Sequence, residues 1–462
     1  MERTRNLRLE AVVRELGLSQ GRLAARMSVV AAENGAAELR NLTQSHIARW
    51  IAGVRPSGRA PSILAATLSQ GLGRTVTLTD IGLADTEGPD PRPPQWSADT
   101  LTTLVDLGST DLDMDRRRVL AGSAYSVAGL AIPTTRWWSE ASDRARARTP
   151  VAAHTVTVQD VESVREMTAF FSRRDQQRGG RGAGRTALVA YLRTDVAQYL
   201  AGRFPSEEVR RSMTSAAGEL AYVAGWTAFD AGEHPVALHW FTLATQLAEE
   251  ARDAPLAGHV LRAMAHQAVD LNQPAQAVRL STASLADNRY THASWREKAL
   301  IGVVHARALA ADSRSKEAAT ALLQAERDLG RAQAGDDEPS RVWFFGEASL
   351  AHETAATLRD LGDLKGAEAA FERSVRTRAL PFARTHAVTL GYLGEVQARQ
   401  GHLDAAITTW TQALDAMAGI QSARTRDTVT RMRSTLSPIK GRGGRTAQDL
   451  DQRARTVLRD VG

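Results

Sequence analysis

One spacing recurs five times in this chain and narrows its fold more than any other feature. Small or turn-forming residues stand at Gly232, Asn272, Ser313, Gly362 and Gly401, and an alanine follows five positions later each time, at Ala237, Ala277, Ala318, Ala367 and Ala406. A larger residue comes four positions further on at Phe241, Leu322, Phe371 and Trp410, with Ser281 the exception. Successive turn positions lie 40, 41, 49 and 39 residues apart. The flanking apolar residues fall at three-and-four spacing, which marks amphipathic helix. Each unit reads as helix, tight turn, helix: the alanine lets the two helices approach, and the bulky residue fills the groove against the next pair. A lone hairpin cannot bury its apolar face, so the units are expected to stack into a superhelix with a concave surface.

At 462 residues the chain exceeds one ordinary core and predicts two or three domains. Three breaks interrupt the helical patterns: Gly88 to Pro94, with four prolines, then Arg173 to Arg185, and Ser437 to Gly444. They suggest an N-terminal domain over 1–84, a Pro-rich linker over 85–98, a helical connecting region over 99–215, repeats over 216–420, and basic C-terminal helices or a tail over 421–462. Only Thr75 to Thr79 and Val156 to Val158 resemble short strands, so the expected fold class is all-α. With no cysteine, the chain holds neither a disulfide framework nor a Cys-based metal or nucleophilic site. The charged start MERTRNLRLE and the lack of any run of eighteen apolar residues make a cytoplasmic location the default expectation.

Charge is unevenly spread. Residues 1–84 hold 11 Arg against 6 acidic residues, and 421–462 hold 10 basic residues against 4 Asp, so both ends are basic and the stretch between them is acidic. A basic end concentrates near a phosphate backbone, while an acidic middle keeps the rest of the chain away from it.

Within the basic N-terminal part, Leu7 to Leu16 reads as an amphipathic helix with Leu9, Val12, Val13 and Leu16 on one face. Gly17 ends it, and Ser19 caps a second helix over Gln20 to Met27. Thr43 caps a third helix that runs through Ile51 and stops before Gly53. On that helix Ile47, Trp50 and Ile51 face one way, while Ser45, Arg49 and Ala52 face the other. A further helix is expected over Ser62 to Leu72.

The residues Ser19-Gln20-Gly21-Arg22-Leu23-Ala24, followed by Thr43-Gln44-Ser45-His46-Ile47 through Gly53, resemble the helix-turn-helix of the Xre and phage-repressor family. The resemblance implies that Gln44, Ser45 and Arg49 contact bases in the major groove of double-stranded DNA. It also implies that Thr43, Arg55 and Arg59 contact phosphates. The stretch Ser28 to Leu42 departs from the family, which has a short turn there; either the second helix is extended or a loop is inserted. The repeats resemble the tetratricopeptide family, most clearly in Gly225, Gly232, Ala237, Phe241 and Ala244, and in Gly394, Gly401, Ala406, Trp410 and Ala413. Their period is longer than the usual ~34 residues. Taken together, the chain is similar to actinobacterial regulators that join an Xre-like domain to tetratricopeptide-like repeats. That resemblance implies a transcriptional regulator. A homodimer is expected because a lone helix-turn-helix covers only a short site, and a peptide or small-molecule ligand is expected in the repeat groove because helical-repeat grooves commonly receive peptides. A protein-interaction scaffold that never touches DNA is the competing reading.

Two further motifs are present. Gly179 to Thr186 has the spacing of a phosphate-binding loop with Arg185 in the lysine position, but the preceding Val161 to Arg174 reads as helix, where such a loop needs a strand. A flexible turn between helices is expected there instead. Asp115 to Ile132 resembles a twin-arginine signal but begins more than a hundred residues into the chain, and reads as a buried linker helix. No HExxH and no catalytic pair can be located, so no catalytic, cofactor or metal residues are assigned and no enzyme activity or cofactor is expected.

Overall fold

The computed structural model describes residues 5–33, 36–72, 76, 78, 80–83, 96, 99–114, scattered positions between 116 and 150, and residues 152–333, 335–437 and 444–460. The Gly88 to Pro94 linker, most of Asp115 to Ile132, most of Ser437 to Gly444, and Thr75, Thr77 and Thr79 lie outside the described residues. The fold is all-helical. The strand expected at Val156 to Val158 is instead an isolated parallel bridge between Thr155 and Arg203, and Val158 already belongs to a helix. No helix among the described residues is long and apolar enough to cross a membrane.

The N-terminal unit packs α1 (Leu7–Leu16), α2 (Gln20–Glu33), α3 (Gln44–Ile51) and α4 (Ala60–Leu72) around one apolar cluster. Helix α1 has the predicted bounds and ends at Gly17, whose φ of 69° is the left-handed turn that favours glycine. Asn6 ties the unit together. Its side chain accepts from the Leu9 amide (2.9 Å) and donates to the Ile81 carbonyl (2.8 Å), and its own amide donates to Ile51 (2.9 Å). The stretch after Met27 combines both alternatives: α2 continues to Glu33, and a short 3-10 turn, Ala37–Leu39, follows before α3.

The rest of the chain begins with α5 (Thr100–Leu112), α6 (Val158–Arg178) and α7 (Ala183–Tyr191). A row of antiparallel hairpins follows: α8 (Glu207–Asp230) with α9 (His234–Glu250), α10 (Ala254–Asp270) with α11 (Pro274–Leu285), and α12 (Trp295–Ala311) with α13 (Ser315–Arg331). It continues with α14 (Glu347–Asp360) and α15 (Leu364–Thr377), then α16 (Ala383–Arg399) and α17 (Leu403–Ala416). The basic C-terminal stretch forms one more pair, α18 (Ala423–Leu436) and α19 (Gly444–Asp460), which buries Val429, Met432, Leu436, Ala447, Leu450 and Ala454 against the preceding hairpin.

The recurring spacing has a direct structural cause. Gly232, Asn272, Ser313, Gly362 and Gly401 all adopt positive φ, between 54° and 88°. Each closes its helix with the same pair of amide bonds, as in Gly232 to Phe229 and Glu233 to Ala228 (both 2.9 Å). The five alanines are completely buried, as are Phe241, Ser281, Phe371 and Trp410. Sixteen residues before Phe241, Phe371 and Trp410 stands a small residue, Gly225, Ala355 and Gly394: a Cβ added at Gly225 would lie 2.6 Å from the Phe241 ring, and one at Gly394 would lie 2.5 Å from the Trp410 ring.

The row curls until its ends meet. Helix α6 packs against both α8 and α16, so it lies across the inner face. The glycine-rich turn after it is bonded on both sides. The Gln421 amide donates to Arg178 (2.8 Å), the Gly180 amide donates to the Asp230 carboxylate (2.8 Å), and the Ser422 hydroxyl donates to the other oxygen of Asp230 (2.9 Å). This corrects the expectation of a flexible turn: a Cβ at Gly180 would sit 2.2 Å from the Thr227 carbonyl oxygen, so glycine here serves close backbone approach. Arg185, which occupies the lysine position of the phosphate-loop pattern, is buried on Asp111 (2.7 Å) and Glu233 (2.6 Å) and anchors α5.

A second segment, residues 338–346 in the long connection between the third and fourth hairpins, also enters the inner face. Arg341 reaches Glu297 (2.7 Å) and Glu219 (2.9 Å), and the Trp343 indole donates to Ser172 on α6 (3.0 Å). The concave face is therefore crossed by α6 and entered by residues 338–346.

Candidate nucleic-acid interface

Helix α3 is positioned from beneath. Ile47, Trp50 and Ile51 are buried in the N-terminal core, as their spacing predicts, and α3 packs on α2. That burial fixes the rotation of the helix and turns Gln44, Ser45 and Arg49 outward, where all three are exposed. The starts of α2 and α3 lie close together: a Cβ at Gly21 would stand 3.9 Å from the Gln44 side-chain oxygen. Two helices joined in this way, the second with an apolar base and a polar outer face, can present one helix to a groove while the other braces it.

Thr43 forms the N-cap. Its backbone amide donates to His46 Nδ1 (3.2 Å), and its hydroxyl lies 2.8 Å from the same nitrogen. A histidine thus fills the place that glutamate or glutamine takes in a capping box. The other residues expected to touch phosphates differ in setting. Arg55 is exposed but donates to the Leu83 carbonyl (2.8 Å), which ties the end of the unit back to the α3–α4 turn. Arg59, just before α4, is only half-exposed. Sequence reasoning gave no contact to Arg22 and Arg26, which are exposed on α2; Arg40, the backbone contact suggested for the stretch before α3, is exposed as well. Helical periodicity could have flagged Arg22 and Arg26, which fall outside the buried Leu23, Ala24 and Met27 stripe. An arginine donates in a planar fork suited to phosphate or guanine.

The chain is thus an all-helical protein with a compact N-terminal unit and a row of tetratricopeptide-like hairpins. Residues 9–84 match a family model described as the SP15 N-terminal domain, a stretch that corresponds to the N-terminal unit. No curated protein matches the chain. Among solved structures it is similar to a Rap protein complexed with competence and sporulation factor, at 12% sequence identity and a TM-score of 0.39, over 66% of this chain and 95% of that one.

Proposed function

We propose that this protein is a sequence-specific DNA-binding regulator in which α3 reads the major groove and the hairpin row serves regulation or assembly. The observation that carries this reading is the division of α3 between a buried base of Ile47, Trp50 and Ile51 and an outward face of Gln44, Ser45 and Arg49. Arg pairs bidentately with guanine and Gln with adenine, so this face holds the side chains that discriminate bases. The net positive charge of residues 1–84 supplies the non-specific attraction that brings a duplex to it.

In this reading two copies bind together, because one short helix covers only a few base pairs and a two-fold pair reads half-sites about 34 Å apart, or a multiple of that. Selection of duplexes from a random pool by the full chain tests the proposal. It predicts an enriched motif with two related half-sites and a complex containing two copies by mass measurement.

A second reading, an interaction scaffold, draws on the hairpin row, since stacked helical hairpins offer large surfaces to other proteins. An unenriched pool together with stable protein partners recovered by crosslinking would favour the scaffold.

A further inference from the structure

On the turn edge of the hairpin row is a basin of about 510 Å³, formed where the ends of α10, α12, α14 and α16 face α18. Five arginines line it, Arg307, Arg359, Arg399, Arg424 and Arg431, against three aspartates, Asp270, Asp360 and Asp427. Two of the arginines are matched: Arg307 bonds to Asp270 (2.6 Å) and to Glu353 behind it (3.1 Å), and Arg359 pairs with Asp360 (2.8 Å).

The other three are not matched in this way. Arg424 has 14% of its side chain exposed, lies over the Phe229 ring, and has its nearest carboxylate, Asp270, at 4.0 Å; its guanidinium makes no hydrogen bond to a described residue. Arg431 donates to the Tyr392 hydroxyl (3.0 Å) and lies over that ring. Arg399 is exposed at the end of α16. Tyr392 is more than nine-tenths buried; its oxygen accepts from Arg431, and its own proton has no acceptor among the described residues. Burial alone would push this phenol's pKa up, yet Arg431 and Arg424 outweigh it and hold it below the ordinary value, which reports a positive field in the wall.

These arginines are not needed to cap the helices that end here. The last carbonyls of α10, α12, α14 and α16 already accept from their own left-handed turns, as in Asn272 to Val269, Ser313 to Ala310, Gly362 to Arg359 and Gly401 to Ala398. A nearly buried guanidinium that faces a cavity without a hydrogen-bonded partner is costly unless an anion completes it.

From Arg399, Arg424, Arg431 and the Tyr392 hydroxyl proton converging on one basin, we propose a binding site for a phosphoryl-bearing small molecule. Several donors around one cavity suit a multiply charged, many-oxygen anion better than a carboxylate, which offers two oxygens and one charge. A basin of this size has room for an organic body beyond the phosphoryl group.

The test is calorimetric titration of the full chain with inorganic pyrophosphate, alongside citrate and a random DNA duplex. One saturable pyrophosphate site is expected, weakened at least tenfold by Arg424→Gln and by Arg431→Gln, and left unchanged by Arg327→Gln on the exposed face of α13. Arg399→Gln removes a side chain with no bonded partner among the described residues, so it should weaken pyrophosphate without lowering the melting temperature. No pyrophosphate binding, equal loss in Arg327→Gln, or an Arg424→Gln loss confined to duplex DNA would overturn the proposal. None of these outcomes touches the assignment of α3, which is tested by base preference.

Discussion

The N-terminal unit and the hairpin row solve the same problem, holding amphipathic helices together, with opposite treatment of charge. Among the described residues of the N-terminal unit no charged side chain is buried; the buried polar groups there, Thr67 and Ser69, bond back to the carbonyls of Ile63 and Ala65. The row buries Arg384 on Asp175 (3.0 Å) and Asp230 (2.7 Å), and Arg307 on Asp270 and Glu353. It also buries His259 between Glu297 (3.1 Å) and Arg262 (2.9 Å). Buried pairs of this kind add little net stability but punish any rearrangement that separates them. The comparison teaches where to look for function. In the first region charged groups stay at the surface, and in the second many are buried and paired, so the few unmatched ones there stand out.

Acid should separate the two regions most strongly. Burial holds His259 and His352 down to about 3 and His266 down to about 4, so they are neutral in the folded row. The unfolded chain protonates them near pH 6.5, so between about pH 6.5 and 4 it binds more protons and folded stability falls, by about 1.4 kcal/mol per pH unit for each proton. Asp175 opposes one of these. Burial, against Arg384 and aided by Asp230, pushes it up to about 7, so its contribution is present at low pH and lost as pH rises through 7. Segment-resolved hydrogen exchange at pH 7 and pH 5 should show protection falling across α10, α12 and α14 while α1 to α4 change little. Equal loss in both regions would contradict the contrast.

Next in size is Arg384→Leu, which removes the buried guanidinium that Asp175 and Asp230 share and leaves their oxygens without that donor. A loss of roughly 3–5 kcal/mol is expected by chemical denaturation. A loss under about 1 kcal/mol would mean the ends of the row are not held by this cluster. Gly180→Ala should follow at roughly 1–3 kcal/mol, because its Cβ would overlap the Thr227 carbonyl oxygen and something must shift. The smallest effect is favourable: Ser313 holds a φ of 61° at a turn where two sister positions are glycines with open space, so Ser313→Gly should raise stability by about 1 kcal/mol.

What could be read from sequence follows the range of the interactions. Helices α1 and α3, the outward Ser45 and Arg49, and the five turns with their buried alanines depend on contacts within one helix or one hairpin, and spacing reveals them. Extension of α2 past Met27 is one of two alternatives the sequence leaves open; the apolar stripe that continues through the buried Val30 and Ala31 is what carries the helix on. The closure of the row was not legible. Gly180 meets Asp230 fifty positions away and Arg384 meets Asp175 across 209, and no local pattern announces either pairing. Likewise, the capping role of His46 and the bond from Arg55 to Leu83 need coordinates, since neither residue type at its position signals them.

The central claim is that α3 discriminates bases, and it is tested most directly by comparing wild type with Arg49→Ala on the selected duplex and on a scrambled duplex at one salt concentration. If Arg49 reads a base, the substitution costs roughly 1–3 kcal/mol on the selected duplex, relaxes preference at one base position, and leaves affinity for the scrambled duplex nearly unchanged. Equal losses on both duplexes, or none on either, would contradict it.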